Sequence, residues 1–175
     1  ITLGAICLQA GFIGAIIISQ NGSSIAIPAI PSFNTPAFEI KADSLFTSMT
    51  LDQGKIDVGF KNDLPIDITD VKFELRNQSD NSLIVSGNFP LIKSKTAEKQ
   101  TFLLDGKTLE GKLKAQLISF SSPGSNNVPV LIDTSNAIVA ELKVYDLYPN
   151  TATAVWPEQN LVNQQQNFYL RGLNV

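Results

Sequence analysis

Between Val71 and Arg76 the chain alternates without exception: Val71, Phe73 and Leu75 are apolar, while Lys72, Glu74 and Arg76 are charged. A period of two sends the two sets to opposite faces of an extended strand, whereas a helix would scatter both around its circumference. The segment therefore reads as a half-buried β-strand. Ile56, Val58 and Phe60 alternate with Asp57 and Gly59 in the same way. Asn62-Asp63-Leu64-Pro65 between the two strands is turn chemistry, with Ile66 and Ile68 continuing the apolar face. Gln78-Ser79-Asp80-Asn81-Ser82 is the next turn and leads into Leu83-Ile84-Val85 and Gly87. Further strands are predicted at Thr101 to Leu104, Leu113 to Phe120, Val128 to Ile132, Ala137 to Tyr148 and Ala152 to Trp156. Their separators are Asp105-Gly106, the run from Ser121 to Asn127, and Pro149-Asn150. No segment sustains a 3.6-residue period with caps. Short strands punctuated by turns predict an all-β chain built as an antiparallel sandwich or barrel.

The start of the chain follows different rules. Residues 1–38 carry no charge, and Glu39 is the first. Leu3 to Ile18 is apolar except for Gln9 and the glycines Gly4, Gly11 and Gly14. Three readings fit. Ile-rich strands could break at the glycines and dock on the sandwich or on another protein; Ile16-Ile17-Ile18 is β-branched and runs into Asn21-Gly22, a hairpin signal, with Ile25, Ile27 and Ile30 at strand-like spacing. A transmembrane helix is the second reading, but sixteen residues reach about 24 Å against a hydrocarbon core of roughly 30 Å. A signal-peptide core is the third, without a basic n-region before it or a small-residue cleavage site after it. Pro28, Pro31 and Pro36 then mark an extended connector. The expected organisation is an apolar, Pro-punctuated segment over residues 1–37, docked as strands or membrane-associated, followed by a β-sandwich domain over 38–175. The tail beyond Gln164-Gln165-Gln166-Asn167 is either a last strand or the entry to a further domain.

Composition closes off several functions. The 175 residues suit one domain, or one with an extension, and 43% hydrophobic residues can fill a core without metal or disulfide staples. Charged residues make up only 17%, against roughly 25% in an average soluble domain. Ser, Thr, Asn and Gln take their place, as is common in secreted and envelope β-proteins. A net charge of -3 with no basic cluster argues against nucleic acid, whose binding needs clustered cations. The chain has no His, which removes Ser-His-Asp and Cys-His catalysis and the usual histidine zinc ligands. Cys7, the single cysteine, has no internal disulfide partner and no nearby cation, so it reads as a buried, inert thiol.

Each remaining candidate meets a simpler explanation. Gly106-Lys107-Thr108 resembles the end of a phosphate-binding loop, but Thr101 stands where the motif needs a glycine, so a turn is expected. Asp63, Asp67 and Asp70 offer oxygens to a calcium ion, and equally serve as solvated acids at strand ends. Paired carboxylates are the one common catalytic device that needs no His, yet most acids fall in turns or on solvent faces. Lys93, Lys95 and Lys99 around Glu98 form a short basic loop. Asn21-Gly22-Ser23 and Asn77-Gln78-Ser79 match the glycosylation pattern, which matters only in a secreted eukaryotic protein. Trp156, Tyr145, Tyr148 and Tyr169 are scattered and read as packing residues. No residue is assigned as catalytic, cofactor-binding or metal-ligating, and no cofactor is expected.

The stretch from Gly54 to Ile68, continued by Val71-Lys72-Phe73-Glu74-Leu75, Ser86-Gly87, Phe89-Pro90 and Thr101-Phe102-Leu103-Leu104, resembles the water-stress (WHy) domain of the type 2 late-embryogenesis-abundant family. The resemblance covers about residues 54–105, with Asn62-Asp63-Leu64 in place of the family's Asn-Pro-Asn. The same pattern is similar to β-sandwich domains of cell-surface proteins and outer-membrane secretion machinery in gliding-type Gram-negative bacteria. Both resemblances imply an Ig- or fibronectin-like antiparallel sandwich without catalytic residues. The expected function is a non-enzymatic structural or interaction component of a bacterial cell-envelope or surface assembly, in the outer membrane, periplasm or cell surface. Its partners would be proteins of that assembly or further copies of itself, with membrane contact through the N-terminal segment. The rival expectation is a lipid- or apolar-ligand carrier.

Overall fold

The computed structural model describes residues 1–44 and 46–154. Two short helices, α1 (Leu3–Gln9) and α2 (Gly11–Ser19), precede eleven strands among these residues. The strands are β1 (Ser24–Ala26), β2 (Ile30–Phe33), β3 (Phe38–Lys41), β4 (Phe46–Asn62), β5 (Ile68–Asn77), β6 (Leu83–Ile92), β7 (Ala97–Leu103), β8 (Thr108–Glu110), β9 (Lys112–Ser122), β10 (Pro129–Leu131) and β11 (Ile138–Ala154). Among the described residues all pairings are antiparallel, and the structure is all-β apart from its helical start.

One sheet has the order β11-β4-β7, with β8 also on β4; the other runs β2-β9-β5-β6, with β3 also on β9. A small third sheet pairs β1 with β10. The chain passes between the two large sheets at the β4–β5 and β6–β7 connections, so their inner faces meet along an aromatic cluster. Phe60 of β4 lies 6.0 Å from Phe73 of β5 and 5.1 Å from Phe89 of β6, and Phe73 lies 5.5 Å from Phe102 of β7. Tilted and edge-on rings at these spacings suit the aromatic quadrupole. Gly87 of β6 makes the closeness possible: a Cβ there would sit 2.6 Å from both the Phe102 and Phe73 rings.

Two buried asparagines tie the strand ends together. The Asn62 amide donates to the Ile66 and Ile92 carbonyls at 3.0 and 3.1 Å and accepts from the Leu64 N–H at 3.0 Å. Asn77 likewise donates to Ser82 and to the Thr108 carbonyl, and accepts from the Glu110 N–H. Each asparagine thus satisfies backbone groups that the ladders leave over, which buried polar atoms require.

The apolar start folds differently from the docked strands that its Ile-rich composition suggests. Thr2 caps α1 by accepting from the Ala5 N–H at 3.2 Å, and Gly11, at a φ of +59°, lets the chain turn from α1 into α2. Gly14 of α2 lies so close to the Cys7 backbone of α1 that a Cβ would overlap the Cys7 carbonyl oxygen. Burial of Leu3, Ile6, Cys7 and Ile17 in the common core overrides the strand propensity of the isoleucines. Backbone bonds from Leu3 to Asn136, Gly4 to Thr134 and Gly22 to Ile132 fasten the hairpin to the loop before β11. Asn21-Gly22 is consequently the turn leaving α2, not a β-hairpin tip. Residues 3–19 form two short helices in place of one continuous one, and among the described residues no helix is long and apolar enough to cross a membrane.

Pro149-Asn150, expected as a turn between two strands, instead lies within β11. Register shifts at Tyr145/Tyr148 and Pro149/Thr151 absorb the disturbance, and Asp146 adopts a φ of +52° at the first of them. An edge strand tolerates proline because one row of its N–H groups has no ladder partner. Trp156, Tyr169 and the tail from Gln164 lie outside the described residues.

Candidate functional site

Three places bring chemistry together. The first is an apolar cleft where the two large sheets part. Behind the aromatic cluster, toward β11 and the β3–β9 pair, the sheets leave a cavity of about 390 Å³. Val58, Phe60, Phe73, Leu117, Ile138 and Leu142 are among its lining, as is Phe38, 61% exposed. Thr35 holds this rim in place: its N–H donates to the Leu117 carbonyl at 3.0 Å, its carbonyl accepts from Gln116 Nε2 at 2.8 Å, and Pro36 then redirects the chain into β3. Glu74 is the one acid on the lining among the described residues, and it is engaged by Arg76 Nε at 2.7 Å.

The second is the tip of the helical hairpin. Leu8 of α1 and Phe12 of α2 are 74% and 81% exposed, and Ile13 and Ile16 continue the apolar surface along α2. Helix α2 is apolar on both its buried and its outer face, so it has no polar side to turn toward water. Cys7 lies beneath this surface, and burial pushes its thiol pKa up, away from reactivity.

The third is a polar network on the outer face of the β11-β4-β7 sheet. Asp57 accepts from Thr101 Oγ1 at 2.7 Å, Lys99 Nζ at 2.9 Å and Tyr145 Oη at 3.0 Å. These bonds from Thr101, Lys99 and Tyr145 hold its carboxyl down at about 2. The same contact raises Lys99. Lys55 and Lys143 each place an ammonium 5.9 Å from the Tyr145 ring centre. A carboxylate held fully ionised by three donors is a poor general acid or base, so the network joins three strands rather than offering proton transfer.

The residues singled out in the sequence are dispersed. Asp63 pairs with Lys61 at 3.0 Å, Asp67 accepts from the Ser94 N–H at 2.7 Å, and Asp70 faces Lys72 at 3.1 Å and Ser119 at 2.8 Å. No three acids converge among the described residues. Lys95 reaches the Asp63 carbonyl and Asn136 while Lys99 turns to Asp57, so the basic loop forms no common face. Gly106-Lys107-Thr108 is the turn from β7 to β8, with Gly106 at a φ of +68°. Asn77 is buried with its amide nitrogen engaged, which leaves nothing for a glycan to join; Asn21 is exposed and accepts from Thr134.

The cleft and the Asp57 network were not legible beforehand. Alternation puts Asp57 and Thr101 on solvent-side positions, but their meeting depends on the β4–β7 register. No family model matches this chain, nor does any curated protein or solved structure.

Proposed function

We propose that this chain is a non-enzymatic interaction module of a bacterial cell-envelope or surface assembly, attached through its helical hairpin. The observation that carries the reading is the uncharged tip bearing Leu8, Phe12, Ile13 and Ile16 in water. Contiguous exposed apolar surface normally marks a protein or membrane contact. Support for an Ig-like sandwich comes from strand order. Strands β4 and β7 pair as B and E do in that fold, β5 and β9 as C and F, and β6 lies beside β5 as C′ lies beside C. The outer positions differ: the late strand β11 flanks β4, and the early β2 and β3 flank β9. The likeness to WHy and gliding-type envelope domains belongs to the same proposal.

The test is a Leu8→Ser/Phe12→Ser double variant of the full chain, compared with wild type by flotation on phosphatidylcholine vesicles and by light scattering. Wild type is expected to float or to assemble into higher oligomers, and the variant to lose that flotation or higher assembly while keeping its circular dichroism. A wild type whose flotation and assembly are unchanged in the variant, or which neither floats nor assembles beyond a dimer, removes the hairpin as the attachment device.

The cleft favours a second reading, a carrier of an apolar ligand, since its volume and lining suit a hydrocarbon chain. Native mass spectrometry of the purified protein separates the two: a co-purifying lipid supports the carrier.

A further inference from the structure

The outer edge of β11 is chemically self-complementary. We infer that two copies of this chain pair through it, residues 139–145 of one copy lying antiparallel to residues 139–145 of the other about a twofold axis at Leu142. This inference rests on a different face from the helical hairpin and stands independently of it.

The argument begins with backbone direction. Ile138 exchanges bonds with Ile1 on the side away from β4: the Ile1 nitrogen donates to the Ile138 carbonyl at 2.7 Å, and the Ile138 N–H donates to the Ile1 carbonyl at 2.8 Å. Backbone groups alternate sides along an antiparallel strand. Ala140, Leu142 and Val144 therefore aim their N–H and C=O groups at the same free edge, and no described residue pairs with them there. Such a row of unpaired groups is a template for another strand.

The stretch is also regular. From Ile138 to Tyr145 the register with β4 runs without interruption, and the first shift comes only after Tyr145. Residues 1 and 2 cover the edge at positions 137 and 138, through the Ile1–Ile138 bonds and the Thr2–Ala137 bridge. Among the described residues, the edge carries no partner in the window from position 139 to the irregularity at Asp146, where φ is +52°.

Side-chain chemistry then selects the occupant. The window reads Val139-Ala140-Glu141-Leu142-Lys143-Val144-Tyr145. Laid antiparallel on itself about Leu142, it sets Glu141 of each copy opposite Lys143 of the other, twice. Neither residue has an ion-pair partner within its own copy among the described residues. On the opposite face Leu142 meets Leu142 and Ala140 meets Val144. These residues lie across from Val58, Phe60 and Ile56 of β4 and so continue the core face. No inward charge defends that face, although Leu142 and Val144 are 39% and 44% exposed. The apolar cleft opens beside the same strand, so a second β11 would stand over its mouth and take Leu142 out of water. Opposite charges and apolar pairs across an antiparallel edge are each stabilising, and like charges there are destabilising.

The test is charge reversal read by light scattering across a dilution series. Wild type is expected as a dimer of about 38 kDa, twice the 18.9 kDa chain. Lys143→Glu and Glu141→Lys should each weaken it by about tenfold. The double reversal Glu141→Lys/Lys143→Glu should restore it, and so should mixing the two single variants, whose charges then complement one another. Leu142→Cys supplies a second readout, because hydrogen-bonded partners lie about 5.5 Å apart at Cα, within disulfide range. It should form a covalent dimer on mild oxidation, while Val139→Cys, which would face Tyr145, should not. The dimer should survive the Leu8→Ser/Phe12→Ser change, which separates this result from the fate of the attachment proposal. A monomeric wild type, whether its edge is bare or covered by another part of its own chain, overturns the inference. So does a dimer indifferent to both single reversals.

Discussion

The two sides of the same pair of sheets make a useful contrast. On one side the chain crosses from sheet to sheet through β6 and β7, and Phe60, Phe73, Phe89 and Phe102 fill the space between them, with Gly87 admitting two rings. On the other side β11 and β3 carry similar apolar residues, yet Phe38, Leu142 and Val144 remain partly in water and a cleft of about 390 Å³ separates the sheets. Apolar content is alike on the two sides; connectivity is not. Where the chain itself bridges the sheets, it draws their faces into contact. Where β3 and β11 form the margins, no direct connection joins the two, and β3 runs on into β4 instead. The open side is where the proposed ligand and the proposed second copy would enter.

The contrast can be tested by truncating side chains on each side. Phe73→Ala, in the closed cluster, should cost about 3–5 kcal/mol, the loss usual for removing a packed aromatic ring. A denaturant midpoint that hardly moves would show the closed side to be as loose as the open one. Asn62→Ala comes next, at roughly 2–3 kcal/mol, because it strands the Ile66 and Ile92 carbonyls and the Leu64 N–H inside the protein. Urea unfolding of this variant beside Asn62→Asp would show how much depends on the amide donor.

Asp57→Asn should have a smaller effect, confined by pH. Folding lowers the carboxyl from 3.8 to about 2, so its contribution is full above pH 3.8 and disappears as pH falls toward 2. Wild type should therefore lose thermal stability across that window more steeply than Asp57→Asn. Parallel curves for the two proteins would mean that the network around Thr101, Lys99 and Tyr145 does not hold in solution. Smallest of all is Leu142→Thr at the open edge. In the dilute monomer it should shift stability by no more than about 0.5 kcal/mol, as partly exposed positions do. A larger loss would mean that the cleft is closed in solution.

Much of the strand framework could be read from the chain. Alternation at Ile56-Val58-Phe60 and Val71-Phe73-Leu75 located the later half of β4 and the centre of β5, and the turn residues at 62–65 and 78–82 mark where the chain reverses. The early half of β4, from Phe46 to Gly54, went unread because its burial follows no clean period: β7 ends at Leu103, and the separate strand β8 pairs with this half. The helical hairpin was misread for a different reason. Ile16-Ile17-Ile18 prefers a strand locally, and only the fit of Gly14 against Cys7 and the burial of Ile17 make the helix the better solution.

What the sequence determined alone is set by short-range chemistry: an all-β framework, the positions of most strands and turns, and a charge-free beginning. A period of two and a turn residue act over a few positions, and every copy of such a pattern folds in much the same way. Which strands become neighbours was decided only by the tertiary structure. Asp57 meets Lys99 and Tyr145 because β4 lies between β7 and β11, partners some 40 and 90 residues further along the chain. The open edge of β11 exists because no described strand continues the sheet beyond it. Pairings at that separation depend on the register and burial of the whole core, which no local window of sequence contains.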